Sequence, residues 1–188
     1  MRLGIISNIE KDLNYQFASE VAQKIAARAS TAVVDSAYAG TPLGDSQFTE
    51  ISEYSDCDLI FCIGGDGTFL STVHDHFLKD VPIIGINLGS IGFLAEISPD
   101  QFDDALDRIL DRRFQIENRM QLEVTVIAQD GTVKGDGICL NDVVVARGFL
   151  LHVLTLDLFI DGDYVERLSG DGVIISTPTG STAYSLAA

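Results

Sequence analysis

Basic residues are scarce in this chain of 188 residues: twelve Lys plus Arg stand against 28 Asp plus Glu, for a formal net charge of −16. A nucleic-acid surface draws most of its affinity from bases set against phosphates, which argues against a general role of that kind. A nucleotide is not excluded, because a pocket can hold one with backbone amides, a metal and one or two local bases. Cysteine is also scarce. Cys57, Cys62 and Cys139 are odd in number and form no Cys-x-x-Cys pair, which argues against a disulfide framework or a zinc site. Cys62 and Cys139 sit in apolar stretches and read as small core residues. No apolar run approaches the roughly 20 residues of a membrane span. The start, Met1 to Asn8, reads as a first strand and lacks the apolar region and cleavage site of a signal peptide. A cytoplasmic protein with neither a membrane nor a nucleic-acid partner is expected.

What is present is a hydrophobic fraction of 46%, enough for the core of one large domain or two small ones. Over the first hundred residues strand and helix signals alternate. Leu3–Ser7, Thr31–Val34, Leu59–Ile63 and Val81–Ile86 read as strands. Phe17, Val21 and Ile25, with Ala18, Ala22 and Ala29 alongside, form one apolar stripe of a helix. Residues 36 to 50 carry Gly40, Pro42 and Gly44 and read as a loop. Ser98-Pro99-Asp100-Gln101 is a helix start, with Phe102, Leu106, Ile109 and Leu110 as the buried face. Asp100, Asp103, Asp104, Asp107 and Asp111 give that helix a solvated acidic face. The alternation predicts a parallel α/β sheet, with ligands beyond the carboxyl ends of its strands. After about Arg113 the period falls to two, as in Leu122-Glu123-Val124-Thr125-Val126, with Gln129–Thr132 and Asp161–Asp163 as turns. Leu140–Ala146, Leu154–Ile160 and Val173–Ser176 are further strands. An α/β domain over 1–113 followed by an all-β domain over 114–188 is the expected organisation.

The glycine loop Gly64-Gly65-Asp66-Gly67-Thr68 lies between the apolar run Leu59–Ile63 and the helical stretch from Phe69. Strand, glycine turn and helix start together suit a phosphate. Two common forms of that arrangement are missing here. A Walker loop needs Lys followed by Ser or Thr, and this loop has Thr68-Phe69. A dinucleotide fingerprint needs Gly or Ala where Leu70 stands. The carboxylate of Asp66 is unusual in such a loop: beside phosphates it is repulsive unless it binds a metal or removes a proton. That combination suggests phosphoryl transfer, and the plainer alternative is a tight turn with a capping Asp.

Three polar features interrupt the β segment. Asn141-Asp142 offers donors and acceptors for an adenine edge or a ribose diol, or forms a strand-edge bulge with an Asx turn. Gly170-Asp171-Gly172 places an acceptor before a buried strand, or is a simple turn. Ser176 to Ser185, with its run of hydroxyls, suits a phosphate bound without positive charge, and Tyr184 suits stacking on a base; the alternative is a hydroxyl-rich loop. His152 is the lone histidine of the β part, and His74 and His76 lie two apart on a helix, facing different ways, so no metal pair is expected.

Taken together, three stretches resemble the NAD kinase family in order: Gly64–Thr68, Asn87–Leu94, and Gly170-Asp171-Gly172 leading into Thr177–Tyr184. The first is shared with diacylglycerol and sphingosine kinases and phosphofructokinases, while the last is much more specific. The resemblance implies a substrate bound between an α/β domain and a β-rich domain, and transfer of a phosphoryl group from ATP or polyphosphate to the 2′-hydroxyl of the adenosine ribose of NAD, with Mg²⁺. Asp66 then matches the catalytic Asp, with Gly67 beside the substrate. Asn141 and Asp142 match the adenosine-binding pair, whose second member is often Glu. Asp171 matches the residue near the nicotinamide end, and Thr182, Ala183, Tyr184 and Ser185 match the loop around adenine and ribose. His152 falls where some bacterial members contact substrate. A homo-oligomer, dimer or tetramer, is expected. Two departures stand out. Some bacterial members carry Arg just before the Gly-Asp-Gly, where this chain has Ser169 and, further back, Arg167. The family also continues for roughly another hundred residues, the size of a fuller second domain, so a truncated chain is expected. The alternatives are a lipid kinase of the diacylglycerol type and a dinucleotide-binding module without catalysis.

Overall fold

The computed structural model describes residues 1–45, 47–49, 51–76, 80–89, 92–148 and 153–188. The chain divides into two compact units, Met1–Asn118 and Arg119–Ala188.

In the first unit, β1 (Arg2–Ser7), β2 (Thr31–Asp35), β3 (Gln47–Thr49), β4 (Leu59–Gly64) and β5 (Ile83–Asn87) form one sheet in the order β3-β2-β1-β4-β5. Every pairing is parallel. β1 shows why a strand here reads as a nearly continuous apolar run: both its faces are covered. Leu3 and Ile5 pack with Phe61 and Ile63 of β4 against α1 (Gln16–Ala27) and α3 (Phe102–Leu110). Ile6 joins Val33, Tyr54, Cys57 and Ile60 on the opposite face, and there the Cys62 thiol lies 3.4 Å from the Thr72 hydroxyl on α2 (Asp66–His76).

α1 buries Ala18, Val21, Ala22 and Ile25 as the stripe predicts. Ala29 does not join it, because it takes φ 55° beyond the last turn, the left-handed conformation that commonly ends a helix. Before α3 the Gln101 side chain reaches back 3.1 Å to the Ser98 amide, and Phe102, Leu106 and Ile109 are buried. The acidic face of α3 is exposed as expected, and part of it is ion-paired at the surface. Lys24 of α1 bonds Asp103 at 2.6 Å, and Arg28 reaches Asp103 at 3.0 Å and Asp107 at 2.5 Å. The expected loop over 36–50 contains β3, three residues at the edge of the sheet. A strand this short carries no usable period of its own.

In the second unit the described strands form three antiparallel pairs: β6 (Leu122–Ile127) with β7 (Val133–Cys139), β8 (Asp142–Ala146) with β11 (Gly172–Ser176), and β9 (Leu154–Ile160) with β10 (Asp163–Gly170). The turn between β9 and β10 sets both Asp161 (φ 52°) and Gly162 (φ 89°) left-handed, as a two-residue hairpin turn requires. β10 itself is a strand that the sequence pattern does not announce. The expected strand Leu140–Ala146 starts only at Asp142, because β7 ends at Cys139 and Leu140-Asn141 form the bend between two strands. Among the described residues of this unit, Leu140 alone is a buried hydrophobic side chain.

Candidate functional site

In a parallel sheet of this order the strand sequence reverses between β1 and β4, and ligands bind beyond the carboxyl ends at that point. Asn8 follows β1 and the glycine loop follows β4. The two are tied together: the Asn8 amide nitrogen lies 3.3 Å from the Thr68 hydroxyl, and the Asn8 backbone N–H donates to Ile63 O at 3.1 Å. The Leu88 N–H, just past β5, donates to Gly64 O at 2.8 Å.

Asp66 is the first residue of α2, and its carboxylate turns toward the segment after β5. Oδ2 accepts the Phe93 N–H at 2.8 Å, and Oδ1 accepts those of Leu94 and Ala95 at 3.0 and 3.1 Å. Burial pushes this carboxyl up, and the three amides more than offset it, so Asp66 is held below its ordinary value of 3.8 and is ionised. The approach is close enough to demand glycine at position 92. A Cβ there would lie 2.1 Å from Asp66 Oδ1 and 2.6 Å from the carboxyl carbon. Gly67 is exposed one residue further along α2.

The second unit gathers several of the expected residues at one place. Asn141 and Asp142 stand at the start of β8, opposite the end of β11, where Ser176 pairs with Asp142. The loop after β11 folds onto them. The Thr177 N–H donates to Asn141 O at 2.8 Å, the Thr177 hydroxyl to Leu140 O at 2.5 Å, and the Gly180 N–H to the Thr177 hydroxyl at 3.0 Å. A Cβ on Gly180 would lie 2.1 Å from Asn141 O, so only glycine permits this contact. Thr177, Thr179 and Gly180 are buried and make this the most enclosed point of the unit. Here Asn141 Oδ1 and Asp142 Oδ2 are shut off from solvent and accept no hydrogen bond among the described residues. The chain continues through a 3-10 turn, Gly180–Thr182, into the short helix α4 (Tyr184–Ala187), which leaves Thr182, Tyr184 and Ser185 exposed and Ala183 half-buried.

Asp171 is not brought to this cluster. It precedes β11 at the other end of the β8–β11 pair, where Gly172 faces Ala146. Four residues at about 3.4 Å each put some 14 Å between the two ends. There Asp171 pairs with Arg147 at 3.1 Å. His152 lies outside the described residues. Among those described, no three His, Cys, Asp or Glu side chains converge on a possible metal position, and no helix is long and apolar enough to cross a membrane. Sequence reasoning did not single out the partners of Asp66, because Phe93, Leu94 and Ala95 act through backbone amides. The available signal was Gly92 within the stretch Asn87–Leu94.

Residues 3–114 match the ATP-NAD kinase N-terminal domain and residues 140–188 the ATP-NAD kinase C-terminal domain. NAD kinase of Ruminiclostridium cellulolyticum is 36% identical over 187 residues, covering 100% of this chain and 65% of that protein. NAD kinase of Acetivibrio thermocellus is 39% identical over 190 residues, with the same shares of 100% and 65%. Among solved structures, yeast NADH kinase complexed with NADH superposes with a TM-score of 0.86 at 26% identity, over 100% of this chain and 60% of that one. An NAD kinase from Archaeoglobus fulgidus in complex with ATP superposes with a TM-score of 0.75 at 23% identity, over 100% of this chain and 65% of that one, a likeness of fold. This chain thus spans 65% of the length of the curated relatives it matches.

Proposed function

The chain belongs to the NAD kinase family, and from that premise we propose that the protein phosphorylates the 2′-hydroxyl of the adenosine ribose of NAD, with ATP or polyphosphate as donor. The observation that carries this reading is the buried pair Asn141 Oδ1 and Asp142 Oδ2, two acceptors without donors. A buried acceptor left unpaired costs about 1–3 kcal/mol, and a donor brought in by a ligand as the neighbouring loop shifts would recover it. Ribose hydroxyls and an adenine amino group are donors of the right kind. The hydroxyl-rich loop Thr177–Ser185 beside them offers acceptors and amides, and the exposed ring of Tyr184 offers a face for the base.

Asp66 is the group suited to the proton. In the reaction the ribose oxygen forms a bond to the transferred phosphorus, the phosphorus–oxygen bond to the leaving phosphate chain breaks, and the hydroxyl proton passes to the Asp66 carboxylate. Such transfer is mostly positioning and electrostatic stabilisation, and amides at the start of α2, with Gly67 in its first turn, suit phosphate oxygens. Mg²⁺ in this family's chemistry neutralises phosphate charge. A cytoplasmic homo-oligomer is the setting we infer.

The test is formation of NADP by the full-length protein from NAD, Mg²⁺ and either ATP or polyphosphate, run in parallel with NADH as acceptor. Conversion with one donor assigns it. No phosphorylated dinucleotide with any combination overturns the reading, and tight NADP binding without turnover assigns a binding module instead.

A further inference from the structure

Asp66 does not present its two carboxylate oxygens equally. A carboxylate has about four acceptor positions, two on each oxygen. Leu94 and Ala95 fill both positions of Oδ1, while Phe93 takes one of Oδ2. All three donors are backbone amides of one turn, consecutive in sequence, and that turn approaches so closely that Gly92 cannot carry a side chain. The turn is anchored in turn: the Ile97 N–H donates to Gly85 O at 3.2 Å and the Asn87 N–H to Ile97 O at 2.7 Å, so it springs from the backbone of β5. The carboxylate therefore cannot rotate without breaking three charge-assisted bonds at once.

We propose that Gly92–Ala95 is the positioning element of the reaction: it saturates Oδ1 and leaves Oδ2 as the oxygen that takes the substrate proton, with Gly92 as the residue that makes the approach possible. The proposal rests on the kinase reading above and adds to it which oxygen reacts and what aims it. The three amides act on the proton transfer through Asp66, so their contribution is read in the chemical step.

Two variants of the full-length protein test this. Gly92→Ala forces the turn or the carboxylate to move, and the expected result is a fall in kcat of about 10²-fold, the low end of what a general base contributes. KM for NAD and for the donor stays within threefold. The second variant replaces Leu94 by its α-hydroxy acid through nonsense suppression, turning one amide into an ester. It deletes a single donor to Oδ1 and adds no atoms, so folding is not at risk, and kcat is expected to fall about tenfold. A kcat within threefold of wild type in both variants, or a change confined to KM, overturns the proposal while leaving the kinase reading intact. A wild-type protein that does not phosphorylate NAD overturns the kinase reading, and this proposal with it.

Discussion

Asp66 sets its carboxylate against three backbone amides, and that bonding fixes its response to pH. The native carboxyl is held below its ordinary value of 3.8, so its contribution to stability is present above that value and is lost as pH falls through the lower native one. The acid limb of kcat/KM assigned to Asp66 should therefore lie below 3.8; a limb at 6 to 7, where a tuned general base often sits, would mean another group takes the proton. Asp66→Asn should lower turnover by about 10²–10⁴-fold while NAD affinity stays within a few-fold. The structure adds a reason for part of that loss, because an Asn amide on the Oδ2 side would face the Phe93 N–H, donor against donor. Asp142→Ala should act differently. It removes a contact made in both ground and transition states, so the change should appear in KM for NAD with turnover largely kept; unchanged KM with a large fall in kcat would move Asp142 into the chemical step. Asp66 stands out in the sequence because a carboxylate in a glycine loop is chemically odd. Its partners do not, since an amide N–H belongs to every residue and leaves no mark in the sequence beyond the glycine that admits it. Asp171 shows the opposite limit: its motif was legible, but only the register of β8 against β11 separates it from Asn141 and Asp142.

At the scale of elements, period and punctuation carried most of the fold. β1, β2, β4 and β5 read as strands because both their faces are covered, and α3 because its cap and its apolar spacing agree. β3, β7 and β10 were not read as strands, and β3 and β10 escaped for different reasons. β3 has three residues. β10 mixes Asp, Glu, Arg and Ser with its apolar residues and is a strand because the hairpin turn at Asp161-Gly162 brings it against β9. The start of α1 was also hidden. A 3-10 turn, Leu13–Tyr15, separates the helix from its capping residue. Asp12 is buried there and accepts the N–H groups of Phe17 and Ala18 at 2.9 Å each, with the Ser7 hydroxyl donating at 2.9 Å. Asp12→Ala should destabilise the first unit by about 2 kcal/mol, the upper range for a lost helix cap, read as a shift in urea midpoint. A loss under about 0.5 kcal/mol would mean that water replaces the carboxylate. By contrast Arg28→Ala, which removes exposed pairs to Asp103 and Asp107, should cost little.

Across these 188 residues taken alone, apolar burial is unevenly shared, and this should govern their dynamics and handling. The first unit closes a core around Leu3, Ile5, Phe61, Ile63, Phe102 and Leu106, all fully buried. The second holds one buried hydrophobic, Leu140, among its described residues, while Val126, Ile127, Val133, Phe159, Ile160, Tyr164 and Ile175 lie at 48% exposure or more. Strand pairs without an apolar face packed against something are marginal in water. Opening free energies follow burial and density of contact, so native-state hydrogen exchange on these 188 residues should separate the two units. Amides of β1 and β4 should exchange last, near the global limit, and those of β6, β7, β9 and β10 should exchange orders of magnitude sooner. The same exposed faces should make these residues alone associate on gel filtration, more at high salt, where the repulsion of a net charge of −16 is screened. NAD offers an internal check. If the ligand seats on Asn141 and Asp142, saturating NAD should slow exchange in β8 and β11 while leaving β9 and β10 nearly unchanged. Uniform protection across both units without ligand would show that the β strands are packed as tightly as the parallel sheet, and would remove the physical basis for expecting association.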